Sequence, residues 1–402
     1  MLADEISIPA GKIKYGLSRT LDFLKLCNNP ENDFFSIQIL GTNGKGTVAA
    51  LLSEILIDAG YNVGTYSSPH LVEINERIKV NNTYISDKEI HCFLNTFHLK
   101  AKKIQPSFFE LMTVMGMWYF SKSQIDFAIL ETGLGGRLDS VTACKNRMLG
   151  FTSITMDHHD ILGHSVKKIA IEKSKAINSI GQICLTVDQG PALNEVLIKQ
   201  ARNYNNQIKI IKNQKPFTFK YLYGDHNHQN AELAKSIVLE LNNINKLNIN
   251  RSAINKSIFK TKWNGRFQII KKNPTILYDV AHNASSLKCF LESFIRFNIV
   301  NRFLTKHIIF AFEKNKKIRA VLKIYEKHFE NIVCSETQIR SSMPYQDIQT
   351  IFAKKVKGNT NLENTIKETI FRASSRDCVV IIGSHYIAPI LNKIFKNCFV
   401  HK

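Results

Sequence analysis

The sequence predicts an α/β protein with a P-loop-type parallel-sheet domain over residues 1–263, followed by a smaller, doubly wound Rossmann-like domain over 264–402. Three observations carry this expectation. Short apolar runs of strand length alternate with segments of helical period. A glycine-rich turn carrying one lysine follows the first clear strand. The alternation restarts after Trp263-Asn264-Gly265-Arg266-Phe267, without a second such turn. The 402 residues are enough for two cores, and 44% apolar with 22% charged residues is a globular composition.

In chain order, Tyr15-Gly16-Leu17-Ser18-Arg19 leads into a helix candidate with Leu21, Leu24 and Leu26. Its residues alone read as an ordinary amphipathic lead-in. Phe34 to Leu40 is an apolar run that reads as a buried strand, broken by Gly41-Thr42-Asn43-Gly44-Lys45-Gly46-Thr47. Val48, Leu51, Leu52, Ile55, Leu56 and Ala59 then recur at helical spacing up to Gly60, a common stop. Strand, glycine turn and helix describe a phosphate cradle, because backbone N–H groups approach phosphate oxygens only where side chains do not obstruct them. In such a cradle Lys45 reaches the terminal phosphates and the Thr47 hydroxyl faces a magnesium ion. The spacing departs from G-x-x-x-x-G-K-[ST], since Gly46 separates Lys45 from Thr47 and Ile39 occupies the first glycine position. A purely structural turn is the alternative.

Val63 to Tyr66 reads as a short strand opening into Ser67-Ser68-Pro69-His70, where hydroxyls arrive at the carboxyl end of a strand, although such serines are also common loop residues. Helical patterns follow from Asp87 to His98 and from Phe108 to Phe120. The strand Asp126 to Leu130 delivers Glu131 and then Thr132-Gly133-Leu134-Gly135-Gly136-Arg137-Leu138-Asp139. A carboxylate at that position suits magnesium, which prefers oxygen donors and shares them with phosphates; structural pairing of Glu131 with Arg137 is the alternative. Leu149 to Thr155 is expected as a strand ending in Met156-Asp157-His158-His159-Asp160, a polar cluster for metal or phosphate, with magnesium ranked above zinc. The helix Val166 to Ile177 carries Glu172-Lys173-Ser174-Lys175, which by itself reads as a solvated charge run. A strand at Ile183 to Val187 and a helix from Asp225 to Leu241 complete the first domain. In the second, the strand Thr275 to Tyr278 runs into Asp279-Val280-Ala281-His282-Asn283-Ala284, and His307 to Phe312, Asn331 to Cys334 and Cys378 to Ile382 are later strands.

Composition narrows the class further. Eight scattered cysteines without a C-x-x-C pair argue for free thiols and against a zinc or disulfide framework. No apolar run approaches the ~20 residues of a membrane span, and the start lacks the order of a secretory signal, so a cytoplasmic protein is expected. The net charge of +21 raises a nucleic-acid reading, but the lysines are dispersed and not interleaved with aromatics as a base-stacking platform. No nucleic-acid partner is therefore expected; a basic field that draws in anionic substrates is the milder reading.

Seven motifs in order resemble the folylpolyglutamate synthase/dihydrofolate synthase family, relatives of the Mur ligases. They are GTNGKGT at Gly41 to Thr47, YSSPHL at Tyr66 to Leu71, ILETGLGGRLD at Ile129 to Asp139, TSITMDHHDILG at Thr152 to Gly163, IAIEKSKAI at Ile169 to Ile177, NGRFQ at Asn264 to Gln268 and DVAHN at Asp279 to Asn283. The resemblance implies an ATPase-type first domain, a glutamate-ligase-type second domain, and ATP-dependent ligation of L-glutamate to dihydropteroate or a reduced folate through an acyl phosphate. It further implies ATP binding by Thr42, Asn43, Gly44, Lys45, Gly46, Thr47, Asn230, Arg266, Asp279 and His282, with the last three supplied by the second domain. Two magnesium ions are implied at Thr47, Ser68, Glu131, His158 and Lys173, the last matching the family's carbamylated lysine. Lys45, Glu131, His158 and Lys173 are the implied catalytic residues, and Gly16, Leu17, Arg19, Phe108, Phe109, Glu110, Arg137 and Asp139 the implied folate contacts. A monomer is expected. Lys175, Asn264, Val141-Thr142 and Lys314-Asn315-Lys316 depart from the family's usual residues. The nearest alternative is a Mur-type ligase acting on a cell-wall nucleotide precursor.

Overall fold

The computed structural model describes residues 16–212, 216–245, 247–339 and 341–399. The amino-terminal stretch from Met1, expected to lack the order of a secretory signal, lies outside the described residues, as does the side chain of His159. The chain divides into two compact units, one formed by Met1–Lys220 with Asn227–Thr261, the other by Tyr221–His226 with Lys262–Lys402.

The first unit is built on an eight-stranded sheet. Its strands are β1 (Phe35–Leu40), β2 (Val63–Tyr66), β3 (Ile78–Val80), β4 (Thr83–Tyr84), β5 (Phe127–Glu131), β6 (Met148–Phe151), β7 (Ile183–Val187) and β8 (Ile208–Ile211). Their order is β4-β3-β2-β5-β1-β6-β7-β8, parallel except for the β2-β3-β4 hairpin edge. β1 lies between β5 and β6, with Ile39 opposite Glu131 and Leu40 opposite Phe151. The connection from β1 runs toward the β2 edge, whereas the one from β5 crosses β1 to β6 on its other side, so the carboxyl ends of β2, β5, β1 and β6 flank a topological switch point, where open α/β sheets bind ligands. The helices Lys45–Asp58 and Phe108–Lys122 are apolar on nearly every face because each is buried in the layer over this sheet. The helix Phe108–Lys122 begins with a capping box in which the Ser107 side chain accepts from the Glu110 N–H and the Glu110 carboxylate accepts from the Ser107 N–H.

The second unit carries a six-stranded sheet of β9 (Gln268–Lys272), β10 (Thr275–Asp279), β11 (Lys306–Phe310), β12 (Asn331–Ser335), β13 (Lys357–Asn359) and β14 (Cys378–Ile382). The order is β13-β12-β11-β14-β10-β9, with β9 alone antiparallel. Phe290, Phe294, Leu322 and Tyr325, from the helices Ala284–Asn301 and Arg319–Tyr325, share one core with Leu277, Ile308, Phe310 and Val380. The helix Leu362–Arg372 packs on β11 and β12 from the other face, which makes the sheet doubly wound as the sequence predicts. Tyr223 packs against Phe267 at 4.8 Å between centroids, with the rings tilted by 32°, and meets Phe297 edge-on, so the short segment Tyr221–His226 belongs to this unit.

Among the expected elements that the structure shortens, which include the strand expected as His307 to Phe312 that ends at Phe310, two lose three residues or more. β6 stops at Phe151 instead of Thr155, because residues 152–155 leave the sheet to bond the glycine turn. The helix expected from Val166 to Ile177 ends at Ser174, where Ala176 and Ile177 donate to the carbonyls of Lys173 and Ser174 in tighter turns.

Candidate active site

The glycine turn is bolted to the strand end beside it. Thr42 N–H donates to the Ser153 carbonyl at 2.8 Å, the Thr42 hydroxyl donates to the Thr155 carbonyl, and Asn43 Nδ2 donates to Thr155 Oγ1. Gly44 has φ 89°, and a Cβ there would collide with the side-chain amide of Asn230. Only glycine accommodates both demands. Asn230 is thereby placed over the turn. Gly44 is also the N-cap of the helix Lys45–Asp58 and has no side chain to cap it, so the first-turn N–H groups of Lys45, Gly46 and Thr47 point toward where an anion would sit.

Two lysines grip this turn from its carbonyl side. Lys45 Nζ donates to the Thr42 carbonyl at 3.2 Å, and Lys173 Nζ donates to the Gly41 carbonyl at 2.7 Å. The reading of residues 172–175 as a solvated charge run is corrected here for Lys173. Its neighbours Glu172 and Lys175 are only partly covered, whereas Lys173 is 5% exposed. Burial, then the nearby Lys45 ammonium, push its pKa down to about 7, with Asp139 and Asp157 pulling in the other direction. Gly136 explains how the backbone comes so close: a Cβ there would lie 2.6 Å from the Lys173 carbonyl oxygen.

The candidate metal ligands are mainly oxygen donors. Glu131 ends β5 and is 5% exposed, and its Oε2 accepts the Ser68 N–H at 3.2 Å, which brings the ends of β5 and β2 together. Thr47 is buried in the first turn of the adjacent helix. Arg137 Nε donates to Glu172 at 2.9 Å, an ion pair that replaces the alternative pairing with Glu131. Among the described residues, no three His, Cys, Asp or Glu side chains converge as a metal cluster. A hydroxyl–carboxylate set of this kind fits a hard cation that shares oxygen ligands with phosphate, not a zinc-type site. His158 is a left-handed residue (φ 46°), half-exposed, with Nε2 4.0 Å from Asp157.

Among the expected folate contacts, Phe109 packs against Gly133, where a Cβ would lie 2.5 Å from its ring, and meets Tyr66 edge-on. The Arg77 guanidinium lies 5.3 Å from the centre of the Phe108 ring. Glu110 is buried, bonded to the Ser107 N–H at 2.6 Å and to Arg19 Nε at 3.1 Å; Gly16 and Leu17 lead directly into the Arg19 helix, Ser18–Leu26. The Asp139 carboxylate accepts the N–H groups of Leu134 and Val141, and burial raises its pKa to about 6. Asp139 and Glu110 thus hold local backbone, while Arg137 is exposed.

In the second unit, β10 ends in Asp279, whose carboxylate accepts from Phe267 and Ala281 N–H at 2.7 Å each. Burial raises its pKa, and Arg266 opposes that. His282 Nδ1 is 2.9 Å from the Val280 carbonyl. Arg266, Asp279 and His282 therefore form one cluster within this unit.

Residues 265–385 match the family model described as Mur ligase, glutamate ligase domain. The chain is 30% identical over 421 residues to dihydrofolate synthase/folylpolyglutamate synthase of Bacillus subtilis, covering 96% of both proteins. The chain belongs to that family. Its fold is also that of solved family members. Mycobacterium tuberculosis folylpolyglutamate synthase complexed with ADP superposes with TM-score 0.88 at 20% identity, covering 98% of both chains. The bifunctional folylpolyglutamate synthase/dihydrofolate synthase from Yersinia pestis, complexed with AMPPNP and a manganese ion, gives 0.84 at 21% identity, covering 98% of this chain and 96% of that one.

Ser153 and Thr155 anchor the glycine turn, yet as single residues within the motif Thr152 to Gly163 they carry no sequence signal of that role. Arg77 was also missed. It is buried, its Nε donates to His70 Nδ1 at 2.9 Å, and burial together with the Arg77 charge lowers the His70 pKa to about 4. Nothing in the local pattern singled it out, because Arg77 stands among Asn75, Glu76 and Lys79 in a stretch with only three apolar residues, Ile74, Ile78 and Val80.

Proposed function

We propose that this chain uses ATP to join L-glutamate to dihydropteroate, to (poly)glutamylated reduced folates, or to both. The observation that carries the reading is the convergence at the carboxyl ends of β1, β5 and β2 of the Gly41–Thr47 turn, two lysines on its carbonyls and the Ser68–Glu131 pair. The match along nearly the whole length of a folate ligase favours this over a Mur-type ligase for a cell-wall precursor.

An amide does not form from a carboxylate at useful rates without a better leaving group than hydroxide. In the proposed reaction the folate-type carboxylate attacks the γ-phosphate of ATP, ADP leaves and an acyl phosphate forms; the glutamate amine then adds to the acyl carbon, losing a proton and expelling phosphate to leave the amide. Lys45 and the first-turn N–H groups would neutralise charge on the transferring phosphoryl group. Thr42, Asn43 and Asn230 would fix the turn's shape around the nucleotide, and Arg266, Asp279 and His282 are the candidate nucleotide contacts of the second unit. Magnesium, as two ions, would screen the phosphates, held by Thr47, Ser68, Glu131, His158 and a carbamylated Lys173. An amine of pKa about 7 is about half neutral at pH 7. Its lone pair can add to carbon dioxide, losing a proton to give a carbamate with the oxygen donors that magnesium prefers. Gly16, Leu17, Arg19, Phe108, Phe109, Glu110, Arg137 and Asp139 form or support the proposed pterin side, in a monomeric cytoplasmic enzyme.

Purified protein with ATP, magnesium and glutamate is expected to release phosphate only when dihydropteroate or a reduced folate is added. Phosphate release with a cell-wall nucleotide precursor and none with pterins would refute the reading. Lys45→Ala is expected to lower kcat by at least ~100-fold, the scale of removing one preorganised charge-stabilising group, with the melting temperature nearly unchanged.

A further inference from the structure

We propose that Gln38 is a positioning residue for this reaction. Its side-chain amide, sealed inside the first unit, ties both ends of the loop 132–142 and so fixes Glu131 for a divalent cation. The inference rests on the proposed role of Glu131 as a metal ligand.

Gln38 is one of two buried polar residues in β1, with the much smaller Ser36, and is 0% exposed. A buried primary amide is costly unless its donors and acceptor are all used. Here they are. Nε2 donates to Thr132 Oγ1 at 3.0 Å and to Thr142 Oγ1 at 2.8 Å, while Oε1 accepts from Asn146 Nδ2 at 3.1 Å. The amide orientation follows from its neighbours. Asn146 Nδ2 also donates to the Val141 carbonyl at 2.8 Å, so it presents a donor to Gln38. Thr142 Oγ1 donates to the Gly136 carbonyl at 2.7 Å, so it presents a lone pair to Gln38. Behind them, Gln182 Nε2 donates to the Asn146 carbonyl at 2.9 Å and ties the network to the start of β7.

The geometry shows what this network holds. Thr132 directly follows Glu131, and its N–H donates to the Ile39 carbonyl at 3.0 Å, so its hydroxyl and amide are both fixed to β1. Thr142 closes the far end of the loop and, through Gly136, seats it on Lys173, where the Arg137 N–H donates to the Glu172 carbonyl at 3.2 Å. One amide therefore sets the strand exit that aims the Glu131 carboxylate and the loop that presses on Lys173. A core glutamine used only for packing would have no reason to bridge the two ends of a loop. Groups that orient a metal's ligands typically change metal affinity ~10–100-fold when removed.

The test measures manganese binding directly, by the electron paramagnetic resonance of the free ion, alongside the melting temperature and amide hydrogen exchange of residues 132–142. Gln38→Met and Thr132→Val are expected to weaken manganese binding at least ~10-fold and to speed exchange across the loop, while Thr132→Ser, which keeps the hydroxyl, stays near wild type. Glu131→Gln is the reference variant. If it leaves manganese binding intact, the reading of Glu131 fails. If it weakens binding while folded Gln38→Met and Thr132→Val bind as wild type, the inference about Gln38 is overturned. If Gln38→Met does not fold, the Thr132→Val and Thr132→Ser pair decides, and loss of the fold in Thr132→Val as well overturns positioning in favour of a purely structural role.

Discussion

Gly44 carries two constraints at once: a left-handed backbone and the Asn230 amide where a side chain would have to go. Gly44→Ala is therefore expected to destabilise the first unit by ~1–3 kcal/mol, the range for strained backbone at functional sites, and to abolish ATP binding measured by calorimetry. Lys173 gives a pH prediction. In the unfolded chain the lysine holds its proton up to about 10.5, while in the fold it loses it near 7, so between these values the unfolded state binds more protons. Stability must then rise with pH in that window. The melting temperature of wild type relative to Lys173→Met, measured without metal or carbon dioxide, is expected to increase from pH 7 to pH 10. At this scale the turn was legible, because glycines and one lysine between a strand and a helix have few other physical uses. The environment of Lys173 was not. Its sequence neighbours are charged, and only the close approach of Gly136 encloses it; the resemblance to a family, not the local pattern, pointed to that position.

Elements follow the same logic of signal strength. The strands Val63–Tyr66, Ile183–Val187 and Cys378–Ile382 match their sequence expectations residue for residue, since each is a compact apolar run between clear breaks. The hairpin of β3 and β4 was missed. Three- and two-residue strands have too little periodicity to read, and the Asn81-Asn82 turn, with φ 48° and 64°, was the only signal. β8, β9 and β13 were missed for a similar reason: the sheet edges tolerate the lysines and asparagines of Ile208–Ile211, Gln268–Lys272 and Lys357–Asn359. The helix Phe108–Lys122 yields a prediction of its own. Ser107→Ala removes half of its capping box and is expected to cost about 1 kcal/mol of stability. Because Phe108 and Phe109 are the first residues of that helix, the same change is expected to raise KM for the folate-type substrate several-fold while leaving KM for ATP within about twofold, a split read from steady-state kinetics.

For the molecule as a whole, the two sheets and their order along the chain were foreseeable from alternating periods, and the match to a glutamate ligase domain over 265–385 falls within the second of them. The three-way threading of the backbone was not foreseeable, because Tyr221–His226 is too short to announce its allegiance; it joins the second unit through contacts that include Tyr223 on Phe267 and Phe297 and Asp225 on Arg296. That detour has a practical consequence for anyone cutting the gene in two. A recombinant fragment 262–402 would start with a raw aromatic scar on Phe267 and Phe297, and it is expected to self-associate in light scattering. Grafting residues 221–226 back through a flexible tether, or supplying them as a synthetic peptide, should quench that stickiness and raise the fragment's melting point. The independently expressible piece is therefore not a contiguous stretch of sequence but a body plus its borrowed hexapeptide.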